Sequence, residues 1–257
     1  MTFQHRPMKP SVRQAAIAEL VSKSGRLSVE KLAEKFETSP ETVRRDLNTL
    51  AKEGRIRKVH GGAEKPSFVV EGSFDERLSS NLRAKREVAE KLSKIVRPGQ
   101  TIMMDTGSAT LICAEALNRL RDLTVVTNSF RIAERISAFE NGSRAIILGG
   151  RYSSENAQTL GPQVCAEISM YRPDHTILTV SAIDELGVYD FTEDEALVAR
   201  AMVANAGDLT LVADLSKLSQ TSTYKICEHE QVRRLILEAE PGPELRHSLK
   251  QSGVEII

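Results

Sequence analysis

Two groups of residues in this 257-residue chain have the chemistry to hold an anion. The first lies near the N-terminus. Ser39, Thr42, Arg44, Arg45 and Asn48 offer hydroxyl, guanidinium and amide groups, and Arg57, Lys58 and His60 follow closely. These groups pair with base edges and phosphates in a DNA major groove. The second is the run Asp105-Thr106-Gly107-Ser108-Ala109-Thr110. A glycine there lets the backbone approach a ligand, and hydroxyls at a helix start supply donors for an anion. The run also fits an ordinary strand–helix turn. Thr127-Asn128-Ser129, Gly149-Gly150 and Asp214-Leu215-Ser216-Lys217 follow further apolar runs in the same way. Lys217 would bring positive charge to a phosphate, while Asp105 and the donors would hold sugar hydroxyls.

The elements that must position the first group are readable. A helix over residues 11–24 shows the stripe Ile17, Leu20 and Val21, and Gly25 is its stop. Ser28 caps a second helix carrying Val29, Leu32, Ala33 and Phe36. After Glu37-Thr38, Ser39-Pro40 opens a third helix. Two short helices joined by a three-residue turn are a helix-turn-helix. With Val43, Leu47 and Leu50 inward, Glu41, Arg45, Asn48 and Lys52 point outward and Thr42 and Arg44 flank them. Arg45 is the expected base reader, and Arg44 a base or phosphate contact. Ser39 is expected at phosphate, through its hydroxyl or the amides beside it. Asp46 falls nearer the buried side and is expected to pair with an arginine of the same module. Residues 55–62 (Arg-Ile-Arg-Lys-Val-His-Gly-Gly) read as a β-ribbon wing whose Arg57, Lys58 and His60 hold the DNA backbone.

The second group calls for a different scaffold. Residues 64–76 lack a period and read as a linker. Beyond them helices alternate with short β-branched strands, at 101–105, 123–127, 144–148, 175–180, 209–213, 234–237 and 254–257. That pattern predicts an α/β unit with a doubly wound, mostly parallel sheet. The expected division is therefore 8–63, a winged helix-turn-helix; 64–76, a linker; and 77–257, a sensor and oligomerisation domain.

Charge supports the division. Lys+Arg and Asp+Glu balance at 35 each over the chain. Residues 1–66 nevertheless hold 14 basic and 8 acidic residues, a net +6, which leaves −6 for residues 67–257. A basic head on an acidic body suits a polyanion-binding module joined to a part with other work. The three cysteines (Cys113, Cys165 and Cys227) are too scattered for a disulfide framework, and the five histidines for a metal site. Neither a dinucleotide fingerprint nor a phosphate-binding P-loop occurs, so no cofactor is expected. No apolar run suggests a membrane span, and the expected setting is the cytoplasm.

The string from Leu27 to Ala63, with Ser39-Pro-Glu-Thr-Val-Arg-Arg-Asp-Leu47 and the basic wing ending His60-Gly-Gly-Ala63, resembles the head of the DeoR family of bacterial regulators. Over residues 74–225 the likeness continues through Phe74-x-x-Arg77, Asn81, Lys85, the Asp-Thr-Gly-Ser loop, Thr-Asn-Ser, Gly-Gly, Gly161, Glu195 and Asp-x-Ser-Lys. The resemblance implies a ribose-5-phosphate isomerase-like sensor fold. It places Lys85, Gly107, Ser108, Ala109 and Lys217 around a phosphate. Ala109 replaces a common hydroxyl residue. The catalytic Asp-Gly-Ala-Asp-Glu and Lys-Gly-Gly-Gly stretches of the isomerases are missing, so binding without turnover is expected. The family's Thr-Asp after the last core strand is replaced by Leu237-Glu238-Ala239. Asp190-Phe191 with Glu195 is similar to the glycerol-3-phosphate repressor subgroup. The implied partners are operator DNA and a small phosphorylated sugar or polyol, with the chain acting as a homodimer or homotetramer.

Overall fold

The computed structural model describes residues 8–52, 56–59, 61–64 and 72–257. The chain divides into two compact units, Met1–Gly72 and Ser73–Ile257.

The first unit comprises α1 (Pro10–Ser24), β1 (Arg26–Ser28), α2 (Val29–Lys35), α3 (Pro40–Lys52), β2 (Arg57–Val59) and β3 (Gly62–Glu64). Gly25, at φ 72°, takes the left-handed conformation that stops α1. The Ser28 hydroxyl accepts from the Lys31 amide and starts α2, an exchange worth about 0.5–2 kcal/mol. Ile17, Val21, Leu32, Val43, Leu47 and Leu50 close into one core. The third strand, β1, was not legible: three residues carry no period. It pairs with β3, so the wing sheet runs β1-β3-β2. This explains the glycine pair. Gly61 turns the ribbon at φ 75°, and a Cβ on Gly62 would fall 2.3 Å from the Leu27 carbonyl oxygen.

The second unit begins earlier than the expected linker allows. Residues 74–76 are helical, because Ser73 and Glu76 form a reciprocal capping box at the start of α4 (Phe74–Ser79). There follow α5 (Leu82–Leu92), β4 (Thr101–Met104), α6 (Ser108–Ala116), β5 (Thr124–Thr127), α7 (Phe130–Ser137) and β6 (Arg144–Ile147). A hairpin of β7 (Arg151–Ser153) and β8 (Gln158–Leu160) leads to α8 (Pro162–Ile168) and β9 (His175–Leu178). The chain closes with β10 (Ala182–Asp184), β11 (Gly187–Asp190), α9 (Glu193–Ala204), β12 (Leu209–Val212), β13 (Tyr224–Cys227), β14 (Arg234–Ile236), α10 (Pro243–Gln251) and β15 (Glu255–Ile256).

Seven strands form the central sheet in the order β15-β14-β12-β9-β4-β5-β6, and the paired strands are parallel. Alternate residues feed opposite faces. Met103, Val126, Leu178 and Leu211 pack with α8, α9 and α10; Ile102, Met104, Val125 and Ile177 pack with α5, α6 and α7. Helices therefore cover both faces, as expected for a doubly wound sheet. The chain runs outward from β4 through β5 to β6, then returns to β9 on the other side of β4. The order reverses between β4 and β9, where open α/β sheets form their ligand crevice. Among the described residues no helix is long and apolar enough to cross a membrane.

Candidate functional site

In the first unit α3 presents the expected basic face. The Ser39 hydroxyl accepts from the Thr42 amide at 3.1 Å and lies 2.9 Å from the Thr42 hydroxyl, so both hydroxyls frame the helix start. The Arg44 and Arg45 side chains are 55% and 79% exposed, and Glu41 pairs with both at 3.5 and 3.8 Å. Exposed pairs this long are worth about 0–1 kcal/mol, so a phosphate or base edge displaces them cheaply. Asp46 is buried and accepts from Arg13 Nε at 2.6 Å and Gln14 Nε2 at 2.9 Å, fixing α3 to α1. Lys58 Nζ donates to Asn48 Oδ1 at 2.5 Å, which joins the wing to α3. Arg57 pairs with Glu64 across the ribbon. Asn48 and Arg57 thus each hold a partner within the protein. His60, Arg55 and the side chain of Lys52 lie outside the described residues.

In the second unit the crevice is built where β4, β5 and β9 end. Asp105 follows β4 and is buried; both its carboxylate oxygens accept from the Thr179 amide at 3.1 Å, across the point where strand order reverses. Gly107 stands at the N-cap of α6, with no side chain capping the helix. Its φ of −165° is ordinary extended backbone, so conformational freedom does not explain the glycine. Space does: an added Cβ would lie 2.0 Å from Thr179 Cγ2. The amides of Ser108, Ala109 and Thr110 open α6, whose dipole favours an anion there.

Asp105, Thr106, Asn128, Gln158, Asp190 and Glu195 line a narrow cleft beside this turn. Asn128 Oδ1 accepts from the Thr106 hydroxyl at 3.2 Å, and Asn128 Nδ2 donates to the Thr159 carbonyl at 3.0 Å. Gln158 and Asn156 both donate to Glu195 Oε1, at 2.6 and 2.8 Å. Neither residue was singled out in the sequence, because the β7–β8 hairpin that carries them is short and unpatterned. Of the residues expected at an effector, Asp105, Thr106, Asn128 and Glu195 line this one cleft.

Other expected contacts are committed elsewhere. The Thr110 hydroxyl is fully buried and donates to the Asp105 and Gly107 carbonyls. Thr127 Oγ1 accepts from the Ser129 amide, and the Ser129 hydroxyl caps α7 by accepting from the Ile132 amide. Gly149 and Gly150 serve packing: the Gly149 amide donates to Glu167 at 2.7 Å, and a Cβ on Gly150 would lie 2.6 Å from Val164 Cγ2. Lys85 is buried, its ammonium donating to the carbonyls of Arg77 and Ser80. Lys217 ends a single 3-10 turn over Leu215–Lys217. Asn81 Nδ2 donates to Asp214 Oδ1 at 3.0 Å, joining the Lys85 segment to that turn. The unexpected Glu238 also has a use here: its carboxylate accepts from the Leu215 amide at 3.1 Å.

Burial pushes the Asp105 carboxyl well above its ordinary value, and the nearby Asp190 and Glu195 charges add to this. The folded state therefore holds the Asp105 proton to higher pH than the unfolded chain, and stability falls as pH rises from about the ordinary value of 3.8 through the folded one. Asp105→Asn is expected to flatten that slope. Chemical denaturation of the wild type and variant across pH checks this; parallel curves would refute it. Burial also raises the Cys113 and Cys227 thiols, the latter to about 12, so both are protonated at neutral pH. Among the described residues no group of three or more His, Cys, Asp or Glu is placed to hold a metal ion.

A basic winged helix-turn-helix followed by a doubly wound α/β unit with a polar crevice at its reversal point defines a two-part DNA-binding regulator. Residues 13–68 match the DeoR-like helix-turn-helix domain, and residues 80–239 match the DeoR C terminal sensor domain. The chain belongs to the DeoR family. It is 31% identical over 246 residues to the HTH-type transcriptional repressor CsqR of Escherichia coli K12, covering 95% of this chain and 94% of that one. It is 31% identical over 250 residues to the glycerol-3-phosphate regulon repressor of the same organism, covering 97% and 99%. Among solved structures, ribose 5-phosphate isomerase A from Methanocaldococcus jannaschii matches 55% of this chain and 56% of its own, at TM-score 0.40 and 17% identity.

Proposed function

We propose that this chain represses transcription by binding a repeated operator as a homodimer or homotetramer, and that a small phosphorylated sugar or polyol releases it. The observation that carries the reading is the pairing of an exposed basic recognition face in one unit with an uncapped helix start at the sheet's reversal point in the other. The α6 amides, with Lys217 nearby in the family pattern, suit a phosphate. The acceptors Asp105, Asn128 and Glu195 suit hydroxyls, which donate. A relative named for the glycerol-3-phosphate regulon makes glycerol 3-phosphate the first effector to try. The expected coupling is about 1–3 kcal/mol, a five- to 150-fold loss of operator affinity. A gel shift on the chain's own upstream promoter, titrated with phosphorylated metabolites, tests it. Indifference to that DNA, with or without metabolite, would sink the reading.

On the DNA side the roles divide. Arg45→Ala is expected to cost about 1–3 kcal/mol and relax specificity at one base pair. Lys58→Ala is expected to weaken all sequences alike and to reduce the salt slope by about one unit. Binding to a panel of single-base operator variants at several salt concentrations separates the two. Equal, sequence-independent losses would remove the division.

A further inference from the structure

The helix that follows the linker is tied to the crevice through Arg77 and Asn156, and to α5 through Lys85. α4 starts one residue into the second unit, and Phe74 is its single buried residue. Arg77 Nη2 donates to Asn156 Oδ1 at 2.8 Å, and Asn156 Nδ2 donates to Glu195 Oε1 at 2.8 Å. That Glu195 lines the cleft with Gln158. The Lys85 ammonium of α5 holds the carbonyls of Arg77 and Ser80, at the C-terminal end of α4. The Phe74 ring lies beneath two guanidinium groups, Arg77 at 5.4 Å and Arg131 at 4.4 Å. Six residues are too few to form a self-sustaining helix, so α4 depends on these ties.

We infer that α4 is the element through which the crevice reports its occupancy to the linker, with Asn156 and Arg77 as positioning residues. This rests on the effector reading above and names its route. A ligand hydroxyl donating to Glu195 competes with Asn156 for the same oxygen. Release of Asn156 frees its Oδ1 from Arg77 and so loosens α4. α4 is the first helix of the second unit and so the one nearest in sequence to the DNA-binding unit.

Asn156→Ala in the full-length protein breaks the relay at a half-buried hairpin position. Hydrogen exchange in α4 is expected to accelerate by about tenfold or more while α6 is unchanged. Operator affinity is expected to fall by about five- to 150-fold with no ligand present, imitating the effector. Unchanged α4 exchange, or unchanged operator affinity, overturns the inference. The ligand arm uses glycerol 3-phosphate and inorganic phosphate as probes on the wild type. Thermal stabilisation accompanied by faster α4 exchange supports the relay; stabilisation with α4 exchange unchanged overturns it. If neither probe stabilises the wild type, the choice of effector fails, while the Asn156→Ala result still judges whether α4 governs DNA binding.

Discussion

Asp46→Ala is expected to unfold the DNA-binding unit and abolish operator binding while leaving the second unit's melting unchanged. The carboxylate is 5% exposed and accepts from Arg13 Nε at 2.6 Å and Gln14 Nε2 at 2.9 Å. Removing it leaves a buried guanidinium, whose side chain is 10% exposed, without its counter-charge, although Nη1 still donates to the Met8 carbonyl at 3.0 Å. Breaking a buried pair in this way costs about 3–5 kcal/mol. A unit of this size has only a few kcal/mol of stability in total, roughly 0.05–0.15 kcal/mol per residue. The loss is therefore most of what holds it folded. Arg13→Met with Asp46→Leu removes both charges and is expected to recover much of the stability, because neither partner is then left uncompensated. Thermal unfolding read separately for the two units checks the pair of results. A single variant that melts within about 1 kcal/mol of the wild type would show that the ion pair is incidental.

Gly107→Ala is expected to cost about 3 kcal/mol in the second unit and to abolish any effector response. The added methyl would meet Thr179 Cγ2 at 2.0 Å, against the 3.5–4.0 Å or so at which carbon atoms pack. Neither side yields easily. Gly107 opens α6, and the Thr179 amide is anchored by both oxygens of Asp105. Moving the helix start away from Thr179 relieves the clash and displaces the amides proposed to receive the anion. Thr179→Ser deletes the clashing methyl and leaves Thr179 Cβ, at 3.1 Å, as the nearest carbon. Gly107→Ala combined with Thr179→Ser is therefore expected to regain most of the stability, a non-additivity that a double-mutant cycle measures. Simple addition of the two single effects would mean that the glycine is required for some reason other than space.

How much was legible differs between the units. In the first, Val43, Leu47 and Leu50 recur at helical spacing, and that alone turned Arg45 outward, set Arg44 on the flank and put Asp46 nearer the buried side. Periodicity is local, so the recognition face could be read residue by residue. The partner of Asp46 could not, since Arg13 lies on another helix and meets it only when the core closes. The strand β1 and the need for Gly62 were hidden for the same reason.

In the second unit the runs of β-branched residues marked the strands, and the turns after them marked the crevice edge. Which turn residues face a ligand did not follow from that. Thr110, Thr127 and Ser129 have the same hydroxyl chemistry as Thr106, yet their oxygens are used within the backbone. Gly149-Gly150 resembles a ligand-approach motif, and both glycines lie against side chains of α8.

The two-part plan, the basic reading helix, the parallel sheet and the family could be read along the chain, because each is written in composition, short-range period or contiguous motif. Only the tertiary structure decided which polar groups share a cleft, why Gly107 must be glycine, and how Asn156 and Gln158 reach Glu195. Those outcomes depend on contacts between residues dozens of positions apart, and such contacts leave no periodic trace along the chain.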